Sequence, residues 1–420
     1  MPLWFRLFYS ALWRLVLPFA LLRLWWKGRL NPGYRQHWRE RLGRAQPVGP
    51  FDVWIHAVSV GEARAVLPVV RALQLRGQRL LITCTTPTGR ATLQSLLGQQ
   101  TGVGTAICYL PFDAPWLLQR FFASAQPKLG LLVETELWPG VCDVASRSGV
   151  KLWLINARLS QRSAAGYAKG GELTRRMLGL LAGIAAQSQA HGERFRALGG
   201  GNVHVTGNIK FDLDVPADIN EQGRGLAQLL SHGRPFWVAG STREGEETLL
   251  LQVLATHPLR QQAVAVIVPR HPERWDSTVA LARELGFRVA RRSAVEVDAN
   301  AEVVVGDSMG EMLAYYAEAV AVVMGGTLAG TGGQNLIEPC ALGVPVILGP
   351  SVFNFQQAAD EALAAGAALA VNDAPAALDA VAALLDEPQA RAQAADAARQ
   401  FVAAHRGATA RTLALLQLTP

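Results

Sequence analysis

Val53-Trp54-Ile55-His56-Ala57-Val58 runs through Ser59-Val60-Gly61-Glu62 into an amphipathic stretch ending near residue 76. The first six residues are short, apolar and rich in β-branched and aromatic side chains, which suits a buried strand. The next segment places Ala63, Val66, Leu67, Val70 and Leu73 at helical spacing, so the unit reads strand, tight turn, helix. The same rhythm continues in 80–85 with a helix at 88–97, in 128–134 with a helix at 139–148, and in 151–156, 183–187 and 203–207. After a polar stretch containing Pro216 and Gly223 it restarts, with strands expected at 235–240, 263–269, 301–306, 319–326 and 344–348. Such alternation means parallel sheets covered by helices on both faces. The break near 211–232 divides the chain into two α/β domains. Ligands of open parallel sheets bind beyond the carboxyl ends of the strands, so two facing sheets would place a cleft between them. The Ala-rich stretch 358–404 reads as helical.

The chain has 420 residues, half of them hydrophobic and 17% charged, which excludes a disordered or collagen-like protein. Four Cys lie far apart with no C-x-x-C pair, so neither a disulfide framework nor a thiolate zinc site is expected. The net charge of +7 is concentrated at the N-terminus: residues 1–45 carry eight Arg and one Lys against Glu40 alone. Within residues 1–26, Arg6, Arg14 and Arg23 interrupt an otherwise apolar and aromatic run. With Lys27 they occupy one half of a helical wheel, and five of the eleven Trp lie in residues 1–45. An amphipathic helix lying on an anionic lipid surface accounts for this pattern; Pro18 is expected to kink it. A helix packed on the protein's own body is the alternative. The Arg-rich stretch 27–44 would keep both α/β domains on the cytoplasmic side.

Polar clusters mark several turns after strands. Glu62 sits in a first helical turn, where a carboxylate serves either as a general base or as a partner of the helix dipole. Glu134-Thr135-Glu136 places two acids in an apolar context at a strand end, costly to bury without partners. Gly207-Asn208-Ile209-Lys210-Phe211-Asp212 leads out of the first domain. In the second, 240–246, 269–274, 307–311 and 325–338 combine glycines, expected helix N-termini and cations. Glu338 lies just inside a helix, as a ribose-binding acid would. No P-loop or H-E-x-x-H motif occurs. Asp212-Leu213-Asp214 has the D-x-D form that some sugar transferases use for a metal, but it lies in the expected link, and neither metal nor cofactor is expected.

Taken together these clusters resemble the 3-deoxy-D-manno-octulosonic acid (Kdo) transferases of lipopolysaccharide assembly. The matching stretches run from Ser59-Val60-Gly61-Glu62 through 134–139, Asn156-Ala157-Arg158-Leu159-Ser160, 207–212, 268–274 and 307–311 to 332–339, in family order. The resemblance implies two facing Rossmann-like domains (the B-type glycosyltransferase fold). A membrane-associated anchor would span 1–45, an acceptor domain 46–212 and a CMP-sugar-binding domain 213–420. It implies inverting transfer of Kdo from CMP-Kdo to a glucosamine hydroxyl of a lipid A precursor at the cytoplasmic face of the inner membrane. Glu62 would be the base, and Glu134 and Lys210 would steady the transition state. Pro269, Arg270, Met309, Gly310, Glu311, Asn335, Leu336, Ile337 and Glu338 would contact CMP. The chain departs from the family pattern at Arg243 and Gln334, where His is common. Another nucleotide-sugar transferase or epimerase, or a tethered nucleotide-binding protein without catalysis, are the rival readings. Acids at 62 and 134, outside the nucleotide domain, argue against the last.

Overall fold

The structure is a computed structural model that describes residues 1–29, 31–98 and 104–416. Its first unit comprises Met1–Asp212 together with the chain from Arg406 onward, and its second comprises Leu213–His405.

Among the described residues seven strands build the first sheet: β1 (Val53–His56), β2 (Leu80–Cys84), β3 (Thr105–Tyr109), β4 (Leu129–Val133), β5 (Lys151–Ala157), β6 (Gly183–Ala186) and β7 (Val203–Val205). They lie in the order β3-β2-β1-β4-β5-β6-β7, every neighbouring pair parallel. Both faces are covered, as the uninterrupted apolar runs require. Val53 and Ile55 enter one core with Val66, Val70 and Leu73, while Trp54 enters the opposite core with Phe121 and Val141. The second sheet contains β8 (Phe236–Thr242), β9 (Val264–Pro269), β10 (Val289–Arg291), β11 (Val303–Val305), β12 (Val322–Met324), β13 (Val346–Leu348) and β14 (Ala368–Ala370). Its order is β10-β11-β9-β8-β12-β13-β14, again parallel throughout. The strand order reverses between β1 and β4 in the first unit and between β8 and β12 in the second, and such switch points are where doubly wound sheets bind ligands.

The structure departs from the sequence reading in several places. β3, β10 and β14 were not expected. β14 falls inside the Ala-rich stretch, between helices Gln356–Ala364 and Ala374–Asp386, and is a half-exposed edge strand held by β13. The helix expected over 62–76 is two helices, Val60–Ala65 and Leu67–Leu75. Pro68 has no N–H to continue the first and sits instead in the first turn of the second. Helix Leu3–Lys27 runs on through Pro18. The final helix, Ala408–Leu415, belongs with the first unit, where Ala408, Leu413 and Leu416 join the core beside β1 and β2.

Helix Leu3–Lys27 touches the first unit along one stripe. The Tyr9 hydroxyl donates to buried Asp113 at 2.5 Å, Trp13 meets Phe112, and the Met1 ammonium pairs with Asp143 at 2.9 Å. Asp113 also accepts the first N–H groups of helix Pro139–Arg147, and burial pushes its carboxyl up to about 6. The other face, including Trp4, Phe8, Leu15, Phe19 and Trp26, is open to solvent, with Phe19 72% exposed. The helix is long and apolar enough to cross a membrane, by length and composition.

Asp212, half of the D-x-D pair, spends its carboxylate on the backbone: it accepts the Gly407 N–H at 2.6 Å and the Thr409 N–H at 2.5 Å where the last helix begins. Asp212→Ala is expected to cost the first unit about 1–2 kcal/mol, as removal of a helix cap does. Urea unfolding followed through tryptophan emission measures this, and the loss should appear in that unit's transition.

Candidate functional site

In the first unit the switch point lies between the ends of β1 and β4, and acids follow both strands. Beyond β1, Ser59 caps helix Val60–Ala65: its hydroxyl oxygen accepts the Glu62 N–H at 3.4 Å. Glu62 turns back and accepts the Val58 N–H at 2.6 Å and the Ser59 hydroxyl at 3.1 Å. This is a capping box moved one residue outward. Burial raises the Glu62 carboxyl to about 7. The Val58 and Ser59 hydrogen bonds hold it down in part, while the charges of Glu134 and Glu136 push it further up. Those perturbations place the three acids within electrostatic reach of one another.

Glu134 follows β4 directly in a left-handed backbone conformation, φ +63°. Such backbone strain in a non-glycine residue costs on the order of 1–3 kcal/mol and is enriched at functional sites. Its buried carboxylate pairs with Lys210 Nζ at 2.6 Å and Arg158 Nε at 2.9 Å. Burial pushes this carboxyl up, but the two cations more than offset that and leave it below the ordinary glutamate range. Lys210 is placed by the 3-10 turn Ile209–Asp212, whose Ile209 and Phe211 are buried. Asn156 secures that turn through its amide oxygen, which accepts the Ile209 N–H at 3.0 Å. Glu136 accepts the Trp138 indole N–H at 2.7 Å, and burial raises its carboxyl too. The structure thus brings Glu62, Glu134 and Lys210 together. It adds Arg158, which lay in a recognised stretch but had no expected role, because a cation's partner is not legible from its own neighbours in sequence.

In the second unit the switch point lies between the ends of β8 and β12. Gly325 passes so close to the Ser241 backbone that a Cβ would lie 2.2 Å from its carbonyl oxygen, and Gly326 has φ +80°, so both positions require glycine. The turn they make is held by Glu246, another residue without an expected role. Buried to 1% exposure, Glu246 accepts the N–H groups of Arg243 (2.8 Å), Gly326 (2.6 Å), Leu328 (2.9 Å) and Ala329 (3.3 Å). Its neighbour Glu247 accepts the Thr242 hydroxyl at 2.8 Å and two N–H groups of Arg274, the shorter at 2.6 Å. A satisfied acid under each turn fixes which N–H groups remain for a ligand.

The expected CMP contacts follow β9, β11 and β12 of this unit, the last set at the start of helix Ile337–Ala341. Pro269 ends β9, and the Arg270 N–H donates to the Thr242 carbonyl at 3.0 Å. Met309 is exposed after β11, Gly310 has φ +89°, and Glu311 pairs with Arg292 at 2.8 Å. Gly310 and Glu311 line a cavity of about 390 Å³ walled by Ile219, Leu226 and Ala314. Asn335 and Glu338 do not line it. The Asn335 amide donates to Glu338 at 3.1 Å and its oxygen accepts the Ile337 N–H at 3.2 Å. The side chains of Leu336 and Ile337 are buried, so these two would meet a ligand through backbone. Arg243, in place of the expected His, donates to His271 Nε2 at 3.0 Å. Burial and then the Arg243 and Arg270 charges lower the His271 imidazole, so it remains a neutral acceptor at neutral pH.

Residues 36–213 match the 3-deoxy-D-manno-octulosonic-acid transferase (kdotransferase) family and residues 288–401 the glycosyl transferases group 1 family. A 3-deoxy-D-manno-octulosonic acid transferase of Bordetella pertussis is 40% identical over 421 residues, covering 97% of this chain and 98% of its own. This chain belongs to the 3-deoxy-D-manno-octulosonic acid transferases. A family member from Haemophilus influenzae is 36% identical and covers 98% of both chains. The family's members are glycosyltransferases, and the two parallel α/β units are those of the B-type glycosyltransferase fold. UDP-GlcNAc 2-epimerase from Neisseria meningitidis shares that fold, with a TM-score of 0.61 over 88% of this chain and 100% of its own at 14% identity.

Glu246→Gln keeps the size but replaces an oxygen acceptor with an amide donor facing N–H groups. The expected result is a stability loss of about 1–3 kcal/mol in the second unit, with faster hydrogen exchange at 326–329 than elsewhere in that unit.

Proposed function

We propose that this transferase moves Kdo from CMP-Kdo to a glucosamine hydroxyl of a lipid A precursor with inversion, Glu62 acting as general base. The observation that carries the reading is a carboxyl poised at about 7 beside two further acids and a Lys–Arg pair, all at one switch point. A base near the working pH combines enough unprotonated form with enough driving force. Glu62 takes the proton of the acceptor hydroxyl as its oxygen bonds to the anomeric carbon of Kdo. The bond from that carbon to the phosphate oxygen breaks, and CMP leaves with the electron pair. Lys210, oriented by Glu134, and Arg270 offset the charge that develops, together with backbone N–H groups of the second unit, and this reading needs no metal. Pro269, Arg270, Met309, Gly310, Glu311, Asn335, Leu336, Ile337 and Glu338 hold the CMP moiety, with Glu338 on the ribose.

Glu62→Gln keeps the size and one oxygen to accept the Val58 N–H while removing the base, and is expected to lower turnover by about two to four powers of ten with CMP affinity near wild type. A capping role alone predicts the reverse, namely a small stability loss and nearly normal turnover. Steady-state rates and melting temperature on the same variant decide, and more than a tenth of wild-type turnover would refute the base. The wild-type rate should rise with pH through about 7, because Glu62 must lose its proton to act. Glu136→Gln removes a like charge that raises Glu62, so that limb of the pH–rate profile should move to lower pH.

Helix Leu3–Lys27 is proposed to lie on the cytoplasmic face of the inner membrane, supported by its outward apolar face and its Arg and Trp content. Deleting residues 1–26 should release the protein from anionic vesicles while CMP still binds. Undiminished co-sedimentation of the truncated protein would exclude this anchor.

A further inference from the structure

Beside the start of helix Leu3–Lys27, an open cavity of about 510 Å³ lies in the first unit. Met1 and Phe5 form one wall, Tyr167 and Leu173 another, and Leu137 and Met177 are buried at its floor. Two positions determine what it leads to. At one end Leu137 directly follows Glu136, whose carboxylate lies within electrostatic reach of Glu62. At the other, Phe5 belongs to the helix whose neighbouring residues Trp4, Leu7 and Phe8 point outward, more than half exposed. The cavity therefore reaches from the start of the helix to Leu137 and Pro139, in the segment that directly follows Glu134 and Glu136.

Its rim is basic. Arg162 and Lys169, at the two ends of helix Gln161–Ala168, are exposed, and Gly166 between them leaves the mouth open. An apolar trough beside exposed cations suits a molecule with a hydrocarbon tail and an anionic head.

We propose that this cavity is an acyl-chain subsite that draws one chain of the lipid acceptor out of the bilayer, so that the sugar hydroxyl reaches Glu62. The inference rests on the proposed acceptor and deepens it: the enzyme recognises the lipid's chain as well as its sugar. Burying the chain along 163–177 fixes the head group relative to the acids, which converts lipid affinity into orientation of the reacting hydroxyl.

Two measurements on the full-length protein in nanodiscs test this. The first uses a lipid A precursor carrying a photoreactive diazirine at the end of an acyl chain. Labelling is expected at Tyr167, Leu173 or Met177, and should be suppressed by unlabelled precursor but not by phosphatidylglycerol. Labelling confined to the outward face of Leu3–Lys27, or equal suppression by phosphatidylglycerol, overturns the subsite. The second is Gly166→Trp. A Cβ at Gly166 meets no atom within 4 Å, so the side chain can be added without moving backbone and would fill the mouth. The ratio of kcat/KM for the acylated acceptor to that for its deacylated disaccharide should fall about tenfold or more, the burial of roughly two methylene groups. An unchanged ratio overturns the proposal. If the wild-type protein transfers Kdo to neither acceptor, the proposed reaction fails, while the photolabelling still decides the subsite.

Discussion

Glu134 is an anion taken out of water at the end of β4, and it is tolerable there because Lys210 and Arg158 close on it from two other parts of the chain. The three charges come from the end of β4, the residue after β5 and the turn after β7, so one ion triad joins three strand ends of a parallel sheet. Removing either cation would leave the acid underpaired in a buried site, which costs far more than the pair contributes when intact. The neighbouring acids depend on this arrangement. With Glu134 held ionised, Glu62 and Glu136 feel a fixed negative charge that helps keep their carboxyls raised.

The two units solve the problem of a polar strand end in different ways. The first gathers ionisable side chains, so its switch point is suited to moving a proton. The second buries two acids, Glu246 and Glu247, beneath its turns and uses them to set the backbone above. In one unit the carboxylates sit among other charges at the strand ends; in the other they accept hydrogen bonds from the turns and hold the backbone. This division is why acids at sheet ends cannot be assigned a role by residue type alone.

Much of the fold was legible because the strands are short apolar runs bounded by turns, as in Val53–His56 and Val264–Pro269. The misses have separate causes. Thr105–Tyr109 mixes Thr, Ala and Cys, Val289–Arg291 has only three residues, and Ala368–Ala370 has the composition of the helices flanking it, so each depends on its sheet neighbour. Of the site, Glu62, Glu134 and Lys210 stood out as charges at strand ends. Arg158 and Glu246 act on partners 24 and about 80 residues away, respectively, a relation that only the folded chain makes visible.

The return of the last helix to the first unit bears on how the protein is made. Ala408, Leu413 and Leu416 complete a core whose other members lie between residues 53 and 209, with the whole second unit encoded between. A nascent chain emerging from the N-terminus onward therefore presents the first unit with part of its core uncovered until residues 408–416 have been made. The second unit, continuous from Leu213 to His405, has no such wait and can close on itself as it emerges. The half that is synthesised first is the half that is finished last.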